Sequence, residues 1–218
     1  QQRLWFLHQY MGSNAVYNMP LALRLRGKVN EAALLRSLEE LHQRHESLRT
    51  RFEAHDGGAV QVIDPPGLEL QVEAVSSAEV QTTALAERFH CFDLSSERLC
   101  RIRLLREPSS YVLLVTMHHS VSDAWSLGIF FRELVSLYQA YTKGESSPLA
   151  PLPIQYADYA QWQRRWLQGE VLEQQLSYWR EQLKDLPPLL TLPTDRPRPA
   201  EQTFRGSMEG FALPASVT

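Results

Sequence analysis

A chain of 218 residues, 44% of them hydrophobic, can bury a substantial core, which excludes a disordered tail. Its 22 basic and 25 acidic residues leave a net charge of −3, so no basic excess favours nucleic acid or an anionic membrane surface. Two cysteines, Cys91 and Cys100, make neither a disulfide framework nor a cysteine-rich metal site, and no apolar run approaches the roughly 20 residues needed to span a bilayer.

The residues therefore point to a cytoplasmic protein with no membrane segment and no signal peptide. Gln1 in place of a methionine, and a strand-like stretch at 204–213 that has just begun something new, suggest a piece cut from a longer chain.

Taken in order, Leu21, Leu23 and Leu25 alternate with polar or small residues, the period-two pattern of a half-buried strand. Asn30 is a good helix N-cap, and Leu34, Leu38, Leu41 and His45 follow at helical spacing, with Leu35 widening the apolar face. Short strands are expected at 49–54, 60–64 and 68–72, separated by Asp56-Gly57-Gly58 and Pro65-Pro66-Gly67. A second helix is predicted over 78–89.

Cys100, Ile102 and Leu104 alternate again, while residues 111–117 are almost continuously apolar, as in a central strand buried on both faces. Pro108-Ser109-Ser110 joins these two strands as a hairpin. After Asp123, the residues Leu127, Phe130, Phe131, Leu134, Tyr138 and Tyr141 keep the spacing of a strong amphipathic helix. Residues 143–153 form a polar, proline-bearing connector. Two further helices follow, the second with Leu172, Leu176, Trp179 and Leu183 on one face, and then a proline-rich extended stretch at 187–199. There is no internal repeat.

The segment Met117-His118-His119-Ser120-Val121-Ser122-Asp123 lies where a buried strand gives way to a helix. Consecutive residues leaving a strand point to opposite sides, so one histidine faces a cavity while the other packs, and His119 is the better candidate for chemistry. An imidazole titrating near neutrality can take a proton from an attacking amine or stabilise charge developing at a thioester carbonyl. Asp123 can orient an imidazole, pair with Arg49, or cap the helix that begins near Ala124. Chemistry alone leaves a second reading open, a satisfied histidine pair beside a sheet edge. A metal would need a third ligand and usually an i, i+4 pair, which adjacent histidines do not supply. The five tryptophans, Trp162, Trp166 and Trp179 among them, stand at helical spacing with other apolar residues and are expected in the core.

At this point the sequence resembles a known family, the condensation domains of nonribosomal peptide synthetases, which share the fold of chloramphenicol acetyltransferase. Gln2-Arg3-Leu4-Trp5-Phe6-Leu7 looks like the end of the family's first motif, and Arg44-His45-Glu46-Ser47-Leu48-Arg49-Thr50-Arg51-Phe52 is similar to the second. Residues 117–126 resemble the His-His-x-x-x-Asp-Gly core motif, and Tyr156-Ala157-Asp158-Tyr159-Ala160-Gln161-Trp162-Gln163 the fourth. Four motifs in the right order across the chain are more specific than the core motif alone.

The resemblance implies an α/β (α+β) fold, a chloramphenicol acetyltransferase-like two-layer sandwich with a mixed sheet. Residues 1–185 would form the N-terminal subdomain of a pseudo-dimeric domain, and 186–218 a proline-rich crossover and first strand toward the other half. It implies an acyltransferase in which the amine of an acceptor aminoacyl thioester attacks the carbonyl of a donor acyl or peptidyl thioester. His119 would be the catalytic histidine, His118 and Asp123 supporting it, with Arg49, Ala124 and Ser126 holding the site in shape.

Both substrates would arrive on phosphopantetheine arms of donor and acceptor peptidyl carrier domains, beside an adenylation domain of the same megaenzyme. No directly bound cofactor, metal, nucleic acid or membrane is implied. Ala124 stands where the family usually has glycine, a departure that bears on any role requiring close backbone approach or a glycine-only conformation there. Gln161 replaces a usually apolar residue. An epimerisation domain of the same superfamily usually continues with a Val-Ser-Trp-Arg type sequence, unlike Trp125-Ser126-Leu127 here. A non-catalytic carrier-docking module is the reading from a different class, and the isolated fragment is expected to be inactive.

Overall fold

A computed structural model of the chain describes residues 1–12, 14–68, 70–200 and 210–213. They fall into two compact units, Gln1–Gln168 and Gly169–Thr218, whereas the sequence reading puts the division after residue 185.

The frame of the first unit is a four-stranded mixed sheet built from β1 (Asn18–Arg26), β4 (Gln71–Ala74), β5 (Cys100–Arg106) and β6 (Ser110–His118), in the order β1-β6-β5-β4. β1 and β5 flank β6 antiparallel, with Leu21 opposite Val115 and Leu104 opposite Leu113. β4 runs parallel to β5. Parallel neighbours need a crossover, and α3 (Ser77–Arg88) supplies it. That helix opens on a capping box in which the Ser76 N–H and Oγ–H both donate to Glu79.

β6 is almost continuously apolar over 111–117 because both its faces are covered. Leu113, Val115 and Met117 join Leu34, Leu38 and Leu41 of α2 (Glu31–Arg44) and Phe130, Leu134 and Leu137 of α4 (Ala124–Thr142) in the main core. Val112 and Leu114 face the other way, onto Val80 and Ala84 of α3. The α/β sandwich with a mixed sheet expected from the sequence is present, with α2 and α4 on one face and α3 on the other. Burying each of these large aliphatic side chains contributes roughly 1.5–3 kcal/mol. The Asn30 cap of α2 is real, its side chain accepting from the Ala33 N–H at 3.1 Å.

A separate hairpin joins β2 (Thr50–His55) to β3 (Gly58–Ile63). Its two-residue loop, Asp56 and Gly57, has φ of 45° and 74°, the paired left-handed conformation that suits Asp-Gly and matches strand twist. A 3-10 turn, Glu46–Arg49, precedes the hairpin, so the strand expected at 49–54 begins at Thr50. α5 (Tyr156–Trp166) closes the first unit, with the Gln155 N–H donating to Asp158.

The structure corrects the sequence expectations in three respects. The strand expected at 68–72 is found at Gln71–Ala74, shifted past the turn held by the Arg98 guanidinium on the Gly67 carbonyl. A helix not anticipated, α1 (Gln2–Met11), opens the chain. Trp162 and Trp166 are not core: they stack on one another with centroids 5.3 Å apart and are 52% and 48% exposed. Trp125 and Trp179 are also exposed.

The second unit holds α6 (Gly169–Gln182), which the sequence reading groups with the first part. Residues 187–199 carry neither helix nor strand, as their prolines dictate. The strand expected at 204–213 lies mostly outside the described residues, and 210–213 are not strand.

Candidate functional site

The site grows from the end of β6. At the last rung of the ladder His118 stands opposite Asn18, and one residue later the His119 N–H still donates to the Tyr17 carbonyl at 2.8 Å. The strand pleat therefore governs both histidines and sends them to opposite sides.

His118 is buried, 1% exposed, among the rings of His8, Tyr17 and Phe92 at centroid distances of 6.2 to 6.3 Å. Its Nδ1 accepts from the Ser120 N–H at 3.2 Å and from Ser120 Oγ at 2.8 Å. Burial first, then the fields of His8 and His119, pushes its pKa down to about 4, so the ring is neutral under ordinary conditions. This is a packing histidine.

His119 is exposed. Its Nδ1 lies 2.8 Å from the Ser122 carbonyl oxygen. A carbonyl only accepts, so Nδ1 carries a proton, and in the neutral tautomer the lone pair lies on Nε2. The loop fixes both the tautomer and the ring orientation without a carboxylate.

Asp123 is the N-cap of α4, its Oδ1 accepting from the Ser126 N–H at 2.8 Å and from Ser126 Oγ at 2.7 Å. The two Ser126 hydrogen bonds, with His119 nearby, hold its carboxyl below the usual carboxylate range. The pairing of Asp123 with Arg49 is not formed: the Arg49 guanidinium donates to the Asp64 carbonyl and lies 3.5 Å from Glu46 Oε1. The Arg49 terminal nitrogens are engaged around the 3-10 turn, and the Ser126 cap satisfies Asp123.

Ala124 is the first helical residue of α4 and is not among the residues with positive φ, so alanine sits there without strain. Gln161 lies in α5 and lines a cavity with Phe52 and Tyr156.

Behind the loop a cavity of about 270 Å³ is lined by Met117, Val121, Ser122, Ser126, Ile129 and Tyr156, among others. Glu133 borders the same cavity, 2.6 Å from His45 Nε2 and 3.2 Å from Arg44 Nε. Sequence reasoning missed Tyr17, Ser120 and Ser122 as partners of the histidines. Tyr17 becomes visible only with the β1–β6 register. The other two act through a backbone carbonyl or a turn of two residues, which leaves no spacing signature. Among the described residues no three side chains of His, Cys, Asp or Glu converge as a metal site requires. No described helix is long and apolar enough to cross a membrane.

This fold and loop define a class. The condensation-domain family matches the chain over residues 1–218, and the chain belongs to that family. It is 52% identical over 217 residues to a linear gramicidin synthase of Brevibacillus parabrevis, covering 95% of this chain and 3% of that protein. The crystal structure of the X-domain from teicoplanin biosynthesis matches with a TM-score of 0.78 at 32% identity, over 91% of this chain and 45% of that one. The first condensation domain of the CDA synthetase matches with a TM-score of 0.74 at 21% identity, over 88% of this chain and 51% of that one, a likeness of fold. The chain thus spans about half of the solved chains it matches and a few per cent of the gramicidin synthase. Its kind is the condensation domain of nonribosomal peptide synthetases, with the chloramphenicol acetyltransferase-like fold.

Proposed function

We propose that this segment supplies the catalytic histidine for amide formation between two carrier-bound thioesters. The observation that carries the reading is the 2.8 Å contact of His119 Nδ1 with the Ser122 carbonyl, which leaves Nε2 as an exposed proton acceptor. The acceptor amine attacks the donor carbonyl, a nitrogen–carbon bond forms and the carbon–sulfur bond breaks. The amine proton passes to His119 Nε2 and from there to the departing sulfur, so the donor arm leaves as a thiol. His118 packs beneath the loop and Asp123 with Ser126 fixes the start of α4, so both are positioning residues, with Ala124 as a neutral part of the same turn. Arg49 supports the neighbouring 3-10 turn.

The substrates are an aminoacyl acceptor and an acyl or peptidyl donor on phosphopantetheine arms. The partners are the two peptidyl carrier domains, with an adenylation domain in the same polypeptide. The reading concerns the longer polypeptide that carries this sequence, and the 218 residues alone are expected to be inactive. The test is the mass of the acceptor-bound product when that polypeptide meets loaded donor and acceptor carriers. Gain of the donor acyl group on the acceptor, with a free thiol on the donor, is expected. Inversion of the α-carbon with no acyl transfer would instead indicate an epimerase, and binding of both carriers with no reaction would indicate a docking module.

A further inference from the structure

A second cavity, of about 380 Å³, shares no lining residue with the His119 loop. His42 of α2, Arg98, and Arg101 and Arg103 of β5 line it, with Leu68 and Ile102 as apolar wall. His42 is 1% exposed, and among the described residues neither of its ring nitrogens has a hydrogen-bond partner. Arg103 Nε is also buried without a partner among the described residues. Buried polar groups are normally satisfied, so the unmatched N–H of the His42 ring and the Nε–H of Arg103, both residues of the cavity lining, call for an acceptor.

The acids bordering this space are engaged: Asp64 holds Arg51 Nε at 3.1 Å and Glu97 holds His90 Nε2 at 2.9 Å. Arg101 and Arg103 meet Glu87, and Arg103 also meets Glu73. Arg98 differs. Among the described residues its guanidinium has the carbonyls of Gly67 and Pro65 as partners and no carboxylate. Burial first, then the Arg98 and Arg49 guanidinium groups, pushes His42 down to about 4, so its ring is neutral there.

We propose that this cavity binds a small molecule carrying a phosphate group, with Arg98 and the His42 imidazole as its principal donors. A phosphate offers more acceptor oxygens than a carboxylate, enough to meet the Arg98 guanidinium and the His42 N–H together. The space also exceeds a bare ion and falls within the range of roughly 300–1,000 Å³ usual for small-molecule sites, leaving room for an organic part. The assignment does not depend on the reaction proposed for His119.

The test is ¹⁵N NMR of the histidine rings in the chain, with the His42 signals assigned through His42→Gln. Inorganic phosphate, phenyl phosphate and acetate are titrated at constant ionic strength. Both phosphates should shift the His42 nitrogens saturably, with His119 unmoved and acetate producing no comparable response. The ratio of the two phosphate affinities distinguishes a free ion from an ester. Arg98→Gln should weaken binding by roughly tenfold or more, and Arg98→Lys should retain part of the affinity, with the remaining histidine signals reporting an intact fold. No saturable shift with either phosphate would mean that the cavity holds only water and would overturn the proposal. An equal response to acetate, or unchanged affinity in Arg98→Gln, would overturn it as well.

Discussion

At positions 118 and 119 the same side chain meets two environments because the chain leaves β6 there with its pleat intact. His118 and the remote His42 are both buried and both lowered to about 4. A histidine lowered in this way is neutral in the fold but takes up a proton when the chain unfolds below its ordinary value of 6.5. Its contribution to stability is therefore complete above that value and drains away as the pH falls toward about 4. With two such groups, the unfolding free energy should fall by up to ~2.7 kcal/mol per pH unit inside that window. Urea unfolding across it measures the slope, and either His42→Gln or His118→Gln should roughly halve it; a slope unchanged in both variants would show that neither ring is buried neutral. Asp123 tests the loop from the other side. Replacing it by alanine removes the cap of α4 and should cost about 1 kcal/mol in the same assay. Ala124→Gly, at a position with ordinary helical backbone, should leave turnover unchanged.

Among the elements, those that bury one face are legible from the sequence and those that do not are not. α2 and α4 announce themselves because Leu34, Leu38 and Leu41, and Phe130, Leu134 and Leu137, must recur at helical spacing to reach a common core. β6 is legible as a run without alternation because α2 and α4 cover one face and α3 the other. α1 escapes such a reading since Leu4, Trp5, Phe6 and Leu7 are consecutive rather than spaced, and none of the helix's residues is buried. β4 is an edge strand of four mostly exposed residues, with little in the sequence to mark it. The misplaced tryptophans follow from the same limit: helical spacing shows that Trp162 and Trp166 share a side of α5, not that anything covers it. Of the candidate site, spacing identifies the two histidines and the aspartate cap, but it gives Arg49 the wrong partner because the contacts of that residue depend on the 3-10 turn.

Two substitutions probe what holds these elements together. Leu41→Ala opens a cavity between α2 and the sheet and should cost about 3 kcal/mol in urea unfolding. Glu87→Ala removes the buried carboxylate that joins α3 to Arg101 and Arg103 of β5, leaving two guanidinium groups short of a partner, and should cost a similar ~3 kcal/mol. A loss near that of an exposed pair, under about 1 kcal/mol, would show that the ionic contact is incidental.

At the largest scale, a mixed sheet carries one strand out to a loop that displays the oriented His119 imidazole, and the chain belongs to the condensation-domain family. The cavity at His42 is a separate feature on the same frame, reached through α2 and β5 rather than through the loop. The central claim is that His119 Nε2 takes the amine proton. The most direct measurement is the single-turnover rate of amide formation by the longer polypeptide with loaded carriers, comparing wild type with His119→Ala. Loss of a general base should slow the reaction by roughly 10²–10⁴-fold while both carriers still bind. A His119→Ala rate within a few-fold of wild type would contradict the account.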